Sequence, residues 1–109
     1  MVNRGDIIFI NFDPQTGSEQ AGLCPALVIS TVQYHKTTRT RALVCPITRT
    51  NRNLPVHIAL DDRTLTYGYV MCDQLKTVDL EARNYRFVEV APVDIVEDVV
   101  DVVADLIGA

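Results

Sequence analysis

The sequence predicts a small, mainly antiparallel β (α+β) protein, a half-open barrel with one α-helix at its C-terminus. Two observations carry this. Short apolar or alternating segments recur along the chain, each bounded by Gly, Pro, Asp or Asn. A helical period of three and four appears only in the last turns of sequence. At 109 residues, 48% of them hydrophobic, the chain is expected to be one domain over 1–109 with a single core.

The first strand is "GDIIFINF", ended by Asp13-Pro14. "PALVIS" is short, apolar and bounded by turn residues, as a central strand buried on both faces would be. "TVQYHKTTRT" is polar and reads as a loop. "RALVCPIT" is the next strand, and Pro46, lacking an N–H, pushes its end toward a sheet edge or bulge. "TRTNRN" reads as a second polar loop. "PVHIAL" alternates, with Val56, Ile58 and Leu60 on one side and His57 on the other. "YGYVMCDQL" and "YRFVEVA" supply the last strands. In the tail, Asp94 and Glu97 have capping-box spacing after Pro92. Ile95, Val99, Val102 or Val103, and Leu106 form an apolar stripe, with Asp98, Asp101 and Asp105 facing water and Gly108 as the stop.

Net charge is −4, which argues against a nucleic-acid partner until its distribution is considered. Residues 1–60 hold six Lys/Arg and three acids, whereas residues 61–109 hold four and eleven. Such segregation allows a positive groove on an acidic molecule. Cys24, Cys45 and Cys72 are odd in number and have no CxxC spacing, which fits neither a zinc site nor a disulfide framework. Cys45 and Cys72 sit in apolar runs and read as small buried hydrophobes. No apolar run approaches the roughly 20 residues that span a bilayer, and the N-terminus lacks a signal-peptide core. A cytoplasmic protein without a membrane partner is expected.

The stretch "GSEQAGLCPALVIS" runs from a polar, glycine-flanked loop straight into a buried strand, a common way to hold chemistry over a scaffold. Together with the preceding "RGDIIFINFDPQT", it resembles the opening of the MazF/PemK toxins: RGD, an apolar strand, DP, GSEQ or GHEQ, then RP and another apolar strand. "CPIT" and "YVMCDQLKTVDLEAR" resemble that family's later signature stretches, so the likeness extends over essentially the whole chain.

The resemblance implies an SH3-like barrel that dimerises, the toxin of a type II toxin–antitoxin system. It implies an endoribonuclease that cuts single-stranded RNA, often mRNA, at a short recognition sequence without metal or other cofactor. The cognate antitoxin would carry an acidic, partly disordered tail. In such a reaction the ribose 2′-OH attacks the adjacent phosphate, leaving a 2′,3′-cyclic phosphate and a 5′-OH. The chemistry needs a proton acceptor, a proton donor and a cation or hydrogen-bond donors for the charged phosphorane. Arginine suits the last task because its planar fork is always charged.

In the family, that arginine precedes the strand's proline, and this chain has Cys24 there. The expected consequence is attenuated catalysis. Thr48 matches the family's second catalytic position, and Glu19 of GSEQ is the third candidate. Ser18, Gln20, Lys36, Arg39, Arg49, Arg52, Gln74 and Lys76 are the candidate RNA-binding residues; Gln20 also suits a bond closing its turn, Gln74 the ordering of a neighbouring loop, and Lys36, Arg39 and Lys76 ordinary solvated charge. A second branch of the family uses the histidine of GHEQ and an arginine before the CDQ aspartate. Here those places hold Ser18 and Met71, with only Asp73 retained, so the missing arginine is not replaced from that set. His35 is available to stack on a base, His57 reads as structural, and the four tyrosines suit either stacking or a barrel rim.

Two other readings remain open on the sequence. One is a toxin-like module that has lost catalysis and binds antitoxin or RNA. The other is a gyrase-binding toxin resembling CcdB, whose action rests on a C-terminal tryptophan; this chain contains no tryptophan.

Overall fold

A computed structural model of the chain describes residues 1–12 and 22–109. Seven strands form one largely antiparallel, unclosed sheet: β1 (Asp6–Asn11), β2 (Leu23–Val28), β3 (Arg41–Thr48), β4 (His57–Ala59), β5 (Tyr69–Met71), β6 (Lys76–Asp79) and β7 (Arg86–Val90). Their order is β4-β5-β3-β2-β1-β7, with β6 pairing with β3 beside this path. Helix α1 (Val32–Thr38) links β2 to β3, and α2 (Val93–Leu106) ends the fold.

Strand alternation divides the interior in two. Ile8, Ile10, Phe12, Cys24, Ala26, Val28 and Val44 fill the barrel side. Ile7, Leu27, Cys45, Ile47, Val70 and Cys72 pack on the other side, against Ile95, Val96 and Val99 of α2. This second layer lets a valine-rich helix persist despite its stiff β-branched side chains. The RGD segment clamps the layers together: Arg4 Nε donates to the Ile29 carbonyl (2.8 Å), and Asp6 accepts the Asn3 N–H (2.9 Å). Gly5, at φ +98°, donates to Val28 and accepts from Ala91, joining β2 to the entrance of α2.

The structure departs from the sequence reading in six places. Residues 32–38 are helical, not a loop. Thr31 caps α1 through its hydroxyl, which accepts the Tyr34 N–H, and Thr37 and Thr38 bond back to the Gln33 and Tyr34 carbonyls. The helix is anchored by His35, which is buried: Nδ1–H donates to the Val2 carbonyl (2.8 Å) and Nε2 accepts from the Ser30 hydroxyl. Ser30 Oγ in turn accepts the Leu43 N–H. His35 is therefore a core residue and is not available to stack on a base.

Pro46 lies in a central strand rather than at an edge. β3 pairs with β6 through residues 41–44 and with β5 through 47–48, so the proline falls between the two partners. The capping box does not form; Pro92 occupies the N-cap without a side-chain bond, and Asp94 pairs instead with Arg63. On α2 the buried stripe includes Val96, while Leu106 is exposed. The "YGYVMCDQL" strand is shorter than read, passing after Met71 into a single 3₁₀ turn, Cys72–Gln74.

Candidate active site

The ends of β1 and β2 meet where Phe12 N–H bonds the Gly22 carbonyl (2.8 Å). Asp13, Ser18, Glu19 and Gln20 lie outside the described residues. Beside this junction a cleft of about 620 Å³ gathers side chains from five parts of the chain. β1 supplies Phe9, and β2 supplies Leu23, Cys24 and Pro25. Ile47 and Thr48 come from the end of β3, followed by Arg49. β7 adds Arg86 and Val88, and the connection between β4 and β5 adds Leu65, Thr66 and Tyr67.

Register places these groups. Phe9 pairs with Pro25 on one side and with Arg86 on the other, so the three form one row across β2, β1 and β7. Cys24 pairs with Ile10, and its side chain belongs to the barrel-side core, only 9% exposed. Cys24 thus borders the cleft while its side chain lies on the opposite face from the Phe9 row, in the barrel-side cluster with Ile8, Ile10 and Phe12. Thr48 is equally buried. Its Oγ1 accepts the Thr50 N–H (3.2 Å), which fixes the hydroxyl oxygen and leaves the hydroxyl hydrogen without an acceptor among the described residues. That hydrogen is available to a phosphate oxygen.

Gly68 secures the position of Thr48. At φ +141° it lies so close to β3 that a Cβ there would run into the Thr48 carbonyl oxygen and press on Ile47 Cγ2 at 3.0 Å. The connection carrying Leu65, Thr66 and Tyr67 is fastened from β7. The Glu89 carboxylate accepts the N–H groups of Leu65 (3.0 Å) and Thr66 (2.8 Å) and the Thr66 hydroxyl (2.8 Å). Partial burial alone would raise the Glu89 carboxyl, but these donors outweigh it and hold it below its ordinary value. Arg63 adds a second fastening, bridging Asp61 and Asp94; its hydrogen bonds lower both carboxyls.

The cleft's charge is one-sided. Its described lining contains two guanidinium groups, Arg49 and Arg86, and no Asp or Glu. Arg49 Cζ stands 5.2 Å from the Tyr67 ring centroid, and Tyr67 meets Tyr69 edge to face. A bond with Tyr67 raises the Tyr69 phenol. Arg86 Cζ stands 5.5 Å from the Phe9 centroid. Stacking on aromatic faces orients both cations without neutralising them. A cleft with unneutralised arginines, aromatic rims and a hydroxyl donor suits a phosphodiester flanked by unpaired bases.

Of the sequence candidates, the structure brings together Cys24, Thr48 and Arg49. Lys36 and Arg39 are elsewhere, on and just after α1, where Arg39 borders a different hollow with His35 and Tyr85. Arg52 is exposed on the loop after Arg49, and Lys76 lies over the Phe12 ring (5.3 Å). Gln74 closes the 3₁₀ turn. Asp73 lies 3.6 Å from His57 Nε2, outside the cleft. Burial pushes the Cys72 thiol up to about 11, helped by the Asp73 charge, and raises Cys45 further, as inert core thiols require. Sequence reasoning missed Arg86, Phe9, Leu65 and Thr66, whereas Tyr67 is one of the tyrosines it offered for stacking. Their meeting depends on β1–β7 register and on the Glu89 fastening, which leave no local pattern.

The model of the PemK-like, MazF-like toxins of type II toxin–antitoxin systems matches residues 3–107. The chain belongs to this toxin family. Endoribonuclease PemK of Escherichia coli is 32% identical over 102 residues, spanning 90% of this chain and 76% of that protein. The crystal structure of MazF from Deinococcus radiodurans superposes with a TM-score of 0.92 at 30% identity, covering 99% of this chain and 97% of that one. MazF in the MazE-MazF crystal structure from the same organism gives 0.86 at 28% identity, covering 98% and 96%. The half-open barrel with its C-terminal helix is thus the MazF fold. Among the described residues, no helix is long and apolar enough to cross a membrane.

Proposed function

We propose that this chain is a cytoplasmic toxin that cleaves single-stranded RNA, mRNA included, by metal-independent attack of the ribose 2′-OH on the adjacent phosphate. The observation that carries the reading is the cleft: a fixed Thr48 hydroxyl beside unneutralised guanidinium groups, with no carboxylate in its described lining. Thr48 donates to a phosphate or leaving oxygen. Glu19 acts on the proton traffic, and Ser18, Gln20, Arg49 and Arg52 hold the flanking nucleotides, with Gln74 and Lys76 extending the contacts; Lys36 and Arg39, at the opposite end of β3, are left out of the site. Cys24 brings no cation, so cleavage is attenuated relative to an arginine at that position. Losing one preorganised donor costs roughly 100- to 1,000-fold in rate.

Two partners follow from the same reading. A cognate antitoxin with an acidic, disordered tail suits the positive cleft. A second copy of the chain suits the apolar edge, where Leu65, Phe87, Val90 and Val93 are exposed around strand β7. A homodimer through this edge would set the RNA groove along its interface.

A second reading has its own support. Cys24 is well packed among Ile8, Ile10 and Phe12, as in a module that binds antitoxin or RNA but no longer cuts. The deciding experiment incubates the chain and Cys24→Arg with long RNA in EDTA and maps new 5′ ends. Site-selective cleavage by both, faster with arginine and reduced by Thr48→Ala, is expected. Cleavage by neither would reject the endoribonuclease reading.

A further inference from the structure

We propose that Arg86 is the catalytic cation of this cleft, the group that neutralises the phosphorane in a chain whose position 24 is a thiol. The inference rests on the endoribonuclease reading and adds a residue to it. Two guanidinium groups line the cleft, Arg49 and Arg86. They differ in their support. Arg49 follows the last residue of β3 and leans on Tyr67, a residue of the 61–67 connection. Arg86 is on strand β7, in a row with Phe9 and Pro25 across three hydrogen-bonded strands. Strand-borne groups hold geometry more closely than loop-borne ones, and a transition-state cation gains from that rigidity.

Arg86 is also uncommitted. It makes no ion pair or side-chain hydrogen bond among the described residues, and its guanidinium lies over the Phe9 ring, which orients the fork without consuming its donors. Other arginines of the chain are spent structurally: Arg4 on the Ile29 carbonyl, Arg63 on Asp61 and Asp94, Arg83 on the Asn11 carbonyl. Arg86 is the uncommitted arginine that is both strand-borne and in the cleft. The nearby carboxylate, Glu89, is occupied by three donors from Leu65 and Thr66.

In the step itself the 2′-oxygen forms a bond to phosphorus and the P–O5′ bond breaks. The 2′ proton passes to a base, and the departing 5′-oxygen takes up a proton. Nothing is oxidised or reduced, and Arg86 remains charged throughout. Its two parallel N–H donors bind the non-bridging oxygens, whose negative charge rises in the phosphorane.

The experiment compares the full-length protein with Arg86→Ala, Arg86→Lys, Cys24→Arg and the Cys24→Arg/Arg86→Ala pair in EDTA, using a defined RNA with one cleavage site. Circular dichroism and sedimentation confirm fold and assembly for each. Arg86→Ala is expected to lower kcat about 100-fold or more with KM little changed. Arg86→Lys should recover part of the loss, and arginine at position 24 should restore cleavage to Arg86→Ala. On an RNA with a 2′-deoxy scissile sugar, Arg86→Ala should bind nearly as tightly as the parent, because the contact strengthens only as charge develops in the phosphorane. Arg86→Ala cutting at the parental rate, or losing only affinity, would overturn the proposal. Cleavage by Cys24→Arg but none by the parent would overturn it while leaving the endoribonuclease reading intact. Cleavage by neither would overturn both.

Discussion

Replacing Gly68 by alanine tests whether the fold positions the cleft as described. The added Cβ would run into the Thr48 carbonyl oxygen and approach Ile47 Cγ2 at 3.0 Å. The backbone at φ +141° is a conformation that costs an L-residue about 1–3 kcal/mol. β5 meets β3 in only two register pairs, Ile47↔Val70 and Thr48↔Tyr69, so relieving the clash means loosening this short ladder. Each hydrogen bond lost adds about 1 kcal/mol. The sum is roughly 2–5 kcal/mol of destabilisation, or about 10–20 °C in Tm for a domain of this size. Because Thr48 itself moves, cleavage should fall about 100-fold even at temperatures where the variant stays folded. Urea unfolding and the EDTA cleavage assay read the two effects. Alanine tolerated within about 0.5 kcal/mol, with cleavage unchanged, would refute the close approach of β5 to Thr48.

The Glu89 fastening should be pH-dependent. Its carboxyl is lower in the folded state than in the unfolded, so its contribution is complete above the ordinary glutamate range and disappears as pH falls through the depressed folded value. Glu89→Ala should therefore destabilise at pH 7, and its gap to the parent in urea should close toward pH 3; a constant gap would contradict this. Asp61 and Asp94, lowered by Arg63, add to the same acid-side loss. Arg49→Ala should weaken RNA binding and lower its salt slope by about 0.7, whereas Asp98→Asn on the exposed face of α2 should leave both nearly unchanged. Larger effects from the helix than from the cleft would misplace the RNA. Sedimentation at micromolar concentration should give a dimer, and Phe87→Asp on the exposed edge should shift it toward monomer. A parent that runs as a monomer would exclude the dimer groove.

Where residues interact locally, the sequence was enough to read the fold. The apolar run in "RALVCPIT" and the three-four spacing of Ile95 and Val99 pack as read, whereas the alternating "YRFVEV" forms its strand but leaves Phe87, Val88 and Val90 exposed at the sheet edge. The α1 helix was hard to read because its anchor is tertiary: "TVQYHKTTRT" is polar by composition, the Thr31 cap is a weak local signal, and the bonds of His35 to Val2 and Ser30 seat the helix in the core. The Asp94 capping box failed for the same reason, since Arg63, distant in sequence, takes the carboxylate. Within the cleft, Cys24 and Thr48 were found through motifs next to prolines. Arg86 carries no motif, and its place depends on the pairing of β1 with β7 around a register shift between Ile7 and Ile8. The same shift explains how a residue in an ordinary alternating strand comes to face Phe9.

The most direct test of the central claim is the chemistry of the ends produced from long RNA in EDTA. An RNA with one 2′-deoxy substitution at the scissile nucleotide serves as the control. The account expects selective cleavage that leaves 2′,3′-cyclic phosphate and 5′-OH termini, with no product from the 2′-deoxy site and little from Thr48→Ala. Fragments bearing 5′-phosphates, or cleavage that persists at the 2′-deoxy site, would contradict attack by the ribose hydroxyl in this cleft.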